Sequence, residues 1–426
     1  MKYKKRIIDE ILALKMEAFG AIWIQGPKGC GKTTSGKQKA KTIIEFQDEE
    51  NRDNLLRIAS IAPNKLLIGE KPILFDEWQD APKLFGAIRK DVDDSGEKGQ
   101  YILTGSSATL AKTPHSGTLR ISRQQMYPMS LFESGESNGM VSVLNLFNNP
   151  NAFDGCKSDV SIDDIIFAIC RGGWPGIFGI KSKKAQLEIA KDLYKQTYSE
   201  DISRIDGIKK NPLIAQTVLR SYSRNICTLA EMKTITADVI SNYDVSKPTI
   251  YDYINALEKL FIIEDIEAWS PAIRSKTAIR SSKKRNFVDP SIAVAALGAS
   301  PEYFNKDFKT LGFLFESLCI RDLKIYSSIY DGKMSYYRDR YGLEADGVLH
   351  LNDGRYALIE FKLGESEIEE GAAHLCEIET LIKKYNETEK QCPLRLPDLK
   401  MVITATRYGY ARKDGVLIIP IGCLKD

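Results

Sequence analysis

The chain has 426 residues, of which 43% are apolar and 27% charged, and its net charge is +3. That length exceeds one ordinary hydrophobic core and predicts two or three domains, and the balance excludes a fibrous or disordered chain. So small a net charge leaves any nucleic-acid case to local clusters. No apolar run approaches the ~20 residues of a membrane span. The basic N-terminus Met1–Glu10 is followed by no leader-like apolar core. The eight cysteines are scattered without a Cys-x-x-Cys pair, which predicts buried thiols rather than disulfides or zinc ligands. A cytoplasmic protein without membrane partners is expected.

In chain order, Arg6–Phe19 carries Ile7, Ile8, Ile11, Leu12 and Leu14 at helical spacing. An apolar strand, Ala21–Gln25, then runs into Gly26-Pro27-Lys28-Gly29-Cys30-Gly31-Lys32-Thr33-Thr34. The spacing Gly-x-x-x-x-Gly-Lys-Thr is that of a P-loop. Glycines let several backbone N–H groups face phosphate oxygens, and the next helix adds its positive end. All nine residues are candidate ATP contacts. Lys32 is expected at the β- and γ-phosphates and Thr33 at Mg²⁺. The run Thr34–Ile44 reads as the following helix.

Pro72-Ile73-Leu74-Phe75-Asp76-Glu77-Trp78-Gln79 is an apolar strand ending in two acids, a Walker B pattern. Asp76 is expected to hold Mg²⁺ and Glu77 to act as general base on the attacking water. A further strand, Tyr101–Thr104, leads to Gly105-Ser106-Ser107, where Thr104 or Ser106 is the candidate sensor of the γ-phosphate. Arg120 and Arg123 are candidates for the arginine that stabilises transition-state charge, in cis or from a neighbouring subunit. His115 has no acidic neighbour and takes no role.

Ile162–Lys195 is helical around a Gly/Pro turn, Arg171–Gly176. Helices are predicted over Leu213–Cys227, Thr234–Asn242 and Ser246–Leu260, with Ser246 as N-cap and Pro248 in the first turn. Phe261–Ile266 then reads as a wing strand with its hairpin partner after Pro271. This pattern reads as a helix-turn-helix with a wing, in which Lys247, Thr249 and Tyr251 sit where a recognition helix would meet DNA. Arg274, Lys276, Arg280, Lys283, Lys284 and Arg285 follow as candidate phosphate contacts. The same module also serves protein contacts in other settings.

The last third places Glu316 in a helix, Leu311–Tyr326. A strand over Met334–Arg338 follows, and then a hairpin: Glu344–Leu351, the turn Asn352–Arg355, and Tyr356–Lys362. Alternation puts Glu360 and Lys362 on one face, with Asp346 opposite the end of the return strand. Two carboxylates on Mg²⁺ beside a lysine are the site of PD-(D/E)XK nucleases. Asp346, Glu360 and Glu316 are the candidate metal ligands, and Asp346, Glu360 and Lys362 the candidate catalytic groups. A retained fold with a structural salt bridge is the other reading. A helix Gly371–Tyr385 and strands Lys400–Thr404 and Gly415–Ile421 close the chain.

The order of these parts resembles the bacterial and archaeal AAA+-type ATPases that join a P-loop domain to a C-terminal domain of unknown function with PD-(D/E)XK-like character. The landmarks are Gly26–Thr34, Leu74–Glu77, Leu103–Ser106, Pro128–Glu133, Gly172–Pro175, Asp201–Arg204, Lys284–Pro290, Glu316 and Glu344–Lys362. Gly117-Thr118-Leu119-Arg120 departs from the Gly-Arg usual before Pro128, and Gly347 stands where a bulky apolar residue is common. The resemblance implies ATP binding and hydrolysis. The expected architecture is a multidomain α/β chain: a P-loop parallel-sheet domain (1–150), a helical linker (151–212), a winged-helix domain (213–285) and a restriction-endonuclease-like α/β domain (286–426). Expected partners are ATP, double-stranded or branched DNA, and a second copy or another protein.

Overall fold

The computed structural model describes residues 3–105, 117–205, 207–272, 281–388 and 391–426. Helix α1 (Ile8–Ala18) leads into β1 (Ala21–Gln25), every residue of which is buried. Then come α2 (Lys32–Lys37), β2 (Thr42–Glu45), α3 (Arg52–Ile61), β3 (Ile73–Asp76), α4 (Lys83–Ser95), β4 (Tyr101–Gly105) and β5 (Ile121–Gln125). The strands pair in parallel in the order β2-β3-β4-β1-β5. Their near-continuous apolar runs suit a sheet covered on both faces. Trp23, Phe75 and Tyr101 fill one face with Trp78 and Phe85, while Ile22, Ile24, Leu74 and Ile102 fill the other.

The helix expected over Thr34–Ile44 is instead the short α2 and then strand β2. Thr42-Ile43-Ile44 is β-branched throughout and joins the sheet edge beside β3. Strand β5 has no counterpart among the expected elements.

Beyond the sheet lie α5 (Leu131–Ser134), β6 (Val141–Ser142), α6 (Val143–Asn148), β7 (Cys156–Lys157), α7 (Ile162–Arg171) and α8 (Lys183–Gln196). A π-helical turn, Thr197–Asp201, runs into α9 (Ile202–Arg204). Helices α10 (Pro212–Arg224), α11 (Met232–Ile240) and α12 (Lys247–Lys259) follow, the last capped by Ser246 as expected. Two antiparallel bridges, Ile263 to Phe287 and Ile266 to Lys284, come next. Helix α13 (Pro290–Leu297) then returns to pack on α7, α8 and α10.

The C-terminal part comprises α14 (Pro301–Phe304), α15 (Phe308–Ser327), β8 (Lys333–Arg338), β9 (Glu344–His350), β10 (Tyr356–Lys362), α16 (Ile368–Thr388), β11 (Leu399–Thr404), β12 (Tyr408–Ala411), β13 (Val416–Pro420) and β14 (Leu424–Lys425). Its mixed sheet has the order β7-β12-β13-β11-β10-β9-β8. Two pairings cross the expected domain boundaries: β7 joins β12, and β6 joins β14. Strand β7 thus edges the C-terminal sheet, while β6 and β14 form a separate two-stranded sheet. Residues 290–297, expected in the last domain, pack with the central helices.

One buried ionic cluster ties these layers together. Arg321 of α15 reaches Asp289 at 2.7 Å and neighbouring Asp322 at 2.7 Å, with all three side chains at most 2% exposed. Asp289 also accepts the Gly173 N–H at 3.0 Å, and Asp322 accepts the Leu131 N–H at 2.9 Å. Arg321→Met strands two carboxylates without their counter-ion. It is expected to cost about 3–5 kcal/mol, read from urea unfolding of the full chain, and a loss under 1 kcal/mol contradicts the central role of the cluster.

Candidate functional site

In a parallel sheet every strand ends at the same edge, and loops at that edge converge on one place. Here β1, β4 and β3 lie side by side, so Gly26, Thr104 and Asp76 become neighbours although far apart in sequence. The P-loop turns on glycines in the left-handed region: Gly26 at φ 151° and Gly31 at φ 104°, the cap of α2. A Cβ on Gly26 would stand 2.2 Å from the Met126 carbonyl oxygen, so only glycine fits. Gly29 turns likewise, and Cys30 is wholly buried beneath the loop with its carbonyl accepting from Arg6 at 3.0 Å. Thr34 is exposed on α2.

Lys32 is buried and donates to the Gly26 and Pro27 carbonyls at 3.0 and 2.9 Å. Thr33 Oγ1 donates to Asp76 Oδ1 at 2.6 Å, and Thr104 Oγ1 donates to the same carboxylate oxygen. Oxygen donors gathered in this way suit Mg²⁺, and Thr33 with Asp76 would hold it. Glu77 follows at φ 52° and ψ 44°, its carboxylate accepting from Gln79 Nε2. Burial raises the Glu77 carboxyl above its ordinary value, opposed by the Gln79 hydrogen bond and the Lys32 charge. A cavity of about 400 Å³ opens beside Glu77, lined by Lys28, Gln79, Asp201, Arg204 and Leu260 among others. Lys28 crosses it to Asp201 at 3.5 Å and Gln196 at 3.1 Å, so the central helices form its far wall.

Arg120 is a correction. It precedes β5 at the end where that strand meets Ala21, the opposite edge of the sheet from the P-loop, and it pairs with Asp93 at 2.6 Å. It does not reach the phosphate site of its own chain. Arg123 lies over the Trp23 ring at 5.1 Å. The alternative sensor Ser106, together with His115, lies outside the described residues. Two residues given no role by sequence, Arg6 and Gln79, contact the P-loop and Glu77 directly. For Gln79 the available signal was an amide two residues past the second acid. Arg6 had none, because its partners are distant in sequence.

In the C-terminal sheet, β9 and β10 pair antiparallel as expected, which sets Glu360 beside Asp346. The Phe361 N–H donates to Asp346 Oδ2 at 3.2 Å, and Lys362 Nζ meets Glu360 Oε2 at 2.8 Å. Glu360 Oε1 is buried with no hydrogen-bond partner among the described residues. Burial, reinforced by Asp346, pushes the Glu360 carboxyl from 4.5 up to about 8. Burial also pulls the Lys362 ammonium down, but Glu360 and Asp346 outweigh it and hold it charged.

Glu316 does not complete this pair. It is claimed by Lys284 at 2.6 Å, whose ammonium also reaches the Asp346 carbonyl at 3.1 Å. Among the described residues no group of three or more His, Cys, Asp or Glu is placed to hold a metal ion, so the three-carboxylate site expected of Asp346, Glu360 and Glu316 is not formed. Gly347, where a bulky apolar residue is common, pairs in register with Ile359, and a Cβ there would meet the Phe361 ring at 3.1 Å.

The basic string is corrected as well. Lys284 and Arg285 are buried in ion pairs with Glu316 and Asp265. Lys283 is exposed, while Arg274, Lys276 and Arg280 lie outside the described residues. On α12, Lys247 and Tyr251 are exposed, and Thr249 bonds the Ser246 cap at 2.8 Å.

Residues 18–134 match the family described as AAA domain. Residues 162–303 and 311–424 match two domains of unknown function, DUF8612 and DUF4143. Comparison with curated proteins finds no match. Among solved structures, a Walker-type ATPase of Pyrococcus abyssi is similar at 14% identity and TM-score 0.43, over 69% of this chain and 96% of that one. A signal transduction ATPase with numerous domains from Pyrococcus horikoshii is similar at 12% identity and TM-score 0.20, over 75% and 47%. A DNA replication initiation factor is similar at 12% and 0.18, over 59% and 86%. The family match over residues 18–134, with the P-loop geometry above, makes the N-terminal part an ATPase-like P-loop domain. No helix among the described residues is long and apolar enough to cross a membrane.

The Glu360 shift has a measurable consequence. The folded chain keeps this proton to a higher pH than the unfolded chain, so stability declines as pH rises from about 4.5 through about 8. Glu360→Gln cannot titrate and is expected to flatten that decline in urea midpoints taken across the range. An unchanged slope counts against a buried, protonated Glu360.

Proposed function

We propose that the chain is a Mg²⁺-dependent ATPase whose hydrolytic cycle acts on its own C-terminal α/β domain. The observation that carries this reading is the meeting of Thr33, Asp76 and Thr104 at the mouth of the P-loop, with Glu77 on the cleft beside them. ATP would lie along Gly26–Thr34, with Lys32 exchanging the Gly26 and Pro27 carbonyls for phosphate oxygens. Thr33 and Asp76 would hold Mg²⁺, which would neutralise phosphate charge there. Glu77 takes the proton of the attacking water, and Thr104 keeps Asp76 aimed. Lys32→Ala is expected to abolish ATP binding. Glu77→Gln should keep binding and lose ~10²–10⁴-fold in turnover, measured by equilibrium binding and steady-state hydrolysis. Normal hydrolysis by Glu77→Gln refutes its role as base.

DNA processing is the finer reading, supported by the convergence of Asp346, Glu360 and Lys362 and by the three helices and antiparallel pair spanning 212–287. Its rival is a nucleotide switch with a protein partner and a non-cleaving C-terminal domain. The rival is supported by Lys284 occupying Glu316 and by the burial of Arg285. Stimulation of ATP hydrolysis by duplex or branched DNA, and Mg²⁺-dependent cleavage lost in Lys362→Ala, favour the first. Indifference to every DNA offered favours the second.

A further inference from the structure

The turn after β3 is built around Glu77. Its left-handed backbone directs the chain into a single 3₁₀ turn, Trp78–Asp80, closed by the Asp80 N–H on the Glu77 carbonyl at 3.1 Å. Trp78 anchors the turn. It is fully buried, edge-on to Trp23 at 4.9 Å and packed on Phe85 at 5.2 Å. With Trp78 inward, Gln79 folds back over Glu77, and its Nε2 donates to Glu77 Oε2.

The other end of the Gln79 amide is placed just as narrowly. Its Oε1 is buried without a hydrogen-bond partner among the described residues. It rests against the end of β4, where a Cβ on Gly105 would stand only 2.5 Å away. That amide therefore fits only because residue 105 has no side chain. Gly105 follows Thr104, which holds Asp76, so one strand end supports both acids.

We infer that Gln79 is a positioning residue for the Glu77 carboxylate, its pose admitted by the missing side chain at Gly105; this rests on the ATPase reading. By taking one carboxylate oxygen, Gln79 leaves the other for a water in the cleft that both residues line.

The test uses the full chain with ATP and Mg²⁺ and compares wild type, Gln79→Leu, Gln79→Glu and Gly105→Ala. Gln79→Leu is expected to lower kcat by about tenfold or more with KM little changed. Gln79→Glu removes the donor, sets a like charge beside Glu77 and should lower kcat at least as far. Gly105→Ala displaces the amide while leaving Gln79 present and should give the same loss of kcat at unchanged KM. Its backbone is outside the left-handed region, so it is the variant expected to fold as wild type. Wild-type kcat in Gln79→Leu overturns the inference, as does a loss that lies in KM rather than kcat. If Glu77→Gln is inactive while the Gln79 variants match wild type, only this inference fails. If wild type shows no Glu77-dependent hydrolysis, the ATPase reading fails with it.

Discussion

The buried cluster of Arg321, Asp289 and Asp322 is the constraint on which the arrangement of layers depends. A buried guanidinium needs counter-charges and full hydrogen bonding, and buried carboxylates need the same. Here guanidinium and carboxylates meet each other's need, and the carboxylates accept backbone N–H groups from separate segments. Gly173 comes from the turn after α7, Leu131 from the segment after β5, and Asp289 from the cap of α13. Gly173 must be glycine, because a Cβ would stand 2.1 Å from the Met129 carbonyl oxygen. The segment so fixed carries Glu133, which pairs with Arg6 at 3.0 Å, and Arg6 holds the Cys30 carbonyl in the P-loop. Phosphate cradle, central helices and C-terminal helix thus share one contiguous set of polar contacts.

The two carboxylate sites differ in electrostatic character. At the P-loop, Asp76 accepts two hydroxyl groups and Glu77 faces a cleft. At the C-terminal sheet, Glu360 is sealed beneath α16, where a Cβ on Gly371 would come 3.3 Å from its Cβ. Burial and the adjacent Asp346 favour its proton, and the charge of Lys362 only partly offsets them. The first arrangement is poised for an exchanging ligand. In the second, lysine ammonium groups stand against the carboxylates, Lys362 on Glu360 and Lys284 on Glu316.

Local pattern carried much of this. The P-loop glycines, the apolar β3 ending in Asp76 and Glu77, the Ser246 cap and the hairpin that brings Asp346 to Glu360 were all legible, because each rests on residues close in sequence. The strand at Thr42–Glu45 is hidden in the sequence because no Gly, Pro, Asn or Asp between Lys37 and Thr42 marks the end of the preceding helix. Strands β6 and β7 were missed because two residues carry no period, and only their partners β14 and β12 make them strands.

The sequence by itself determined that the chain holds a P-loop followed by a paired-acid strand, and that two acids and a lysine lie on one hairpin near its end. These are backbone and spacing properties, written within a few residues. The tertiary structure alone decided which charges remain available. It sent Arg120 to the far edge of the sheet, buried Lys284 and Arg285 in ion pairs, and folded Gln79 onto Glu77. A side chain's partner depends on burial and on strand order, and both are fixed by contacts between segments scores of residues apart.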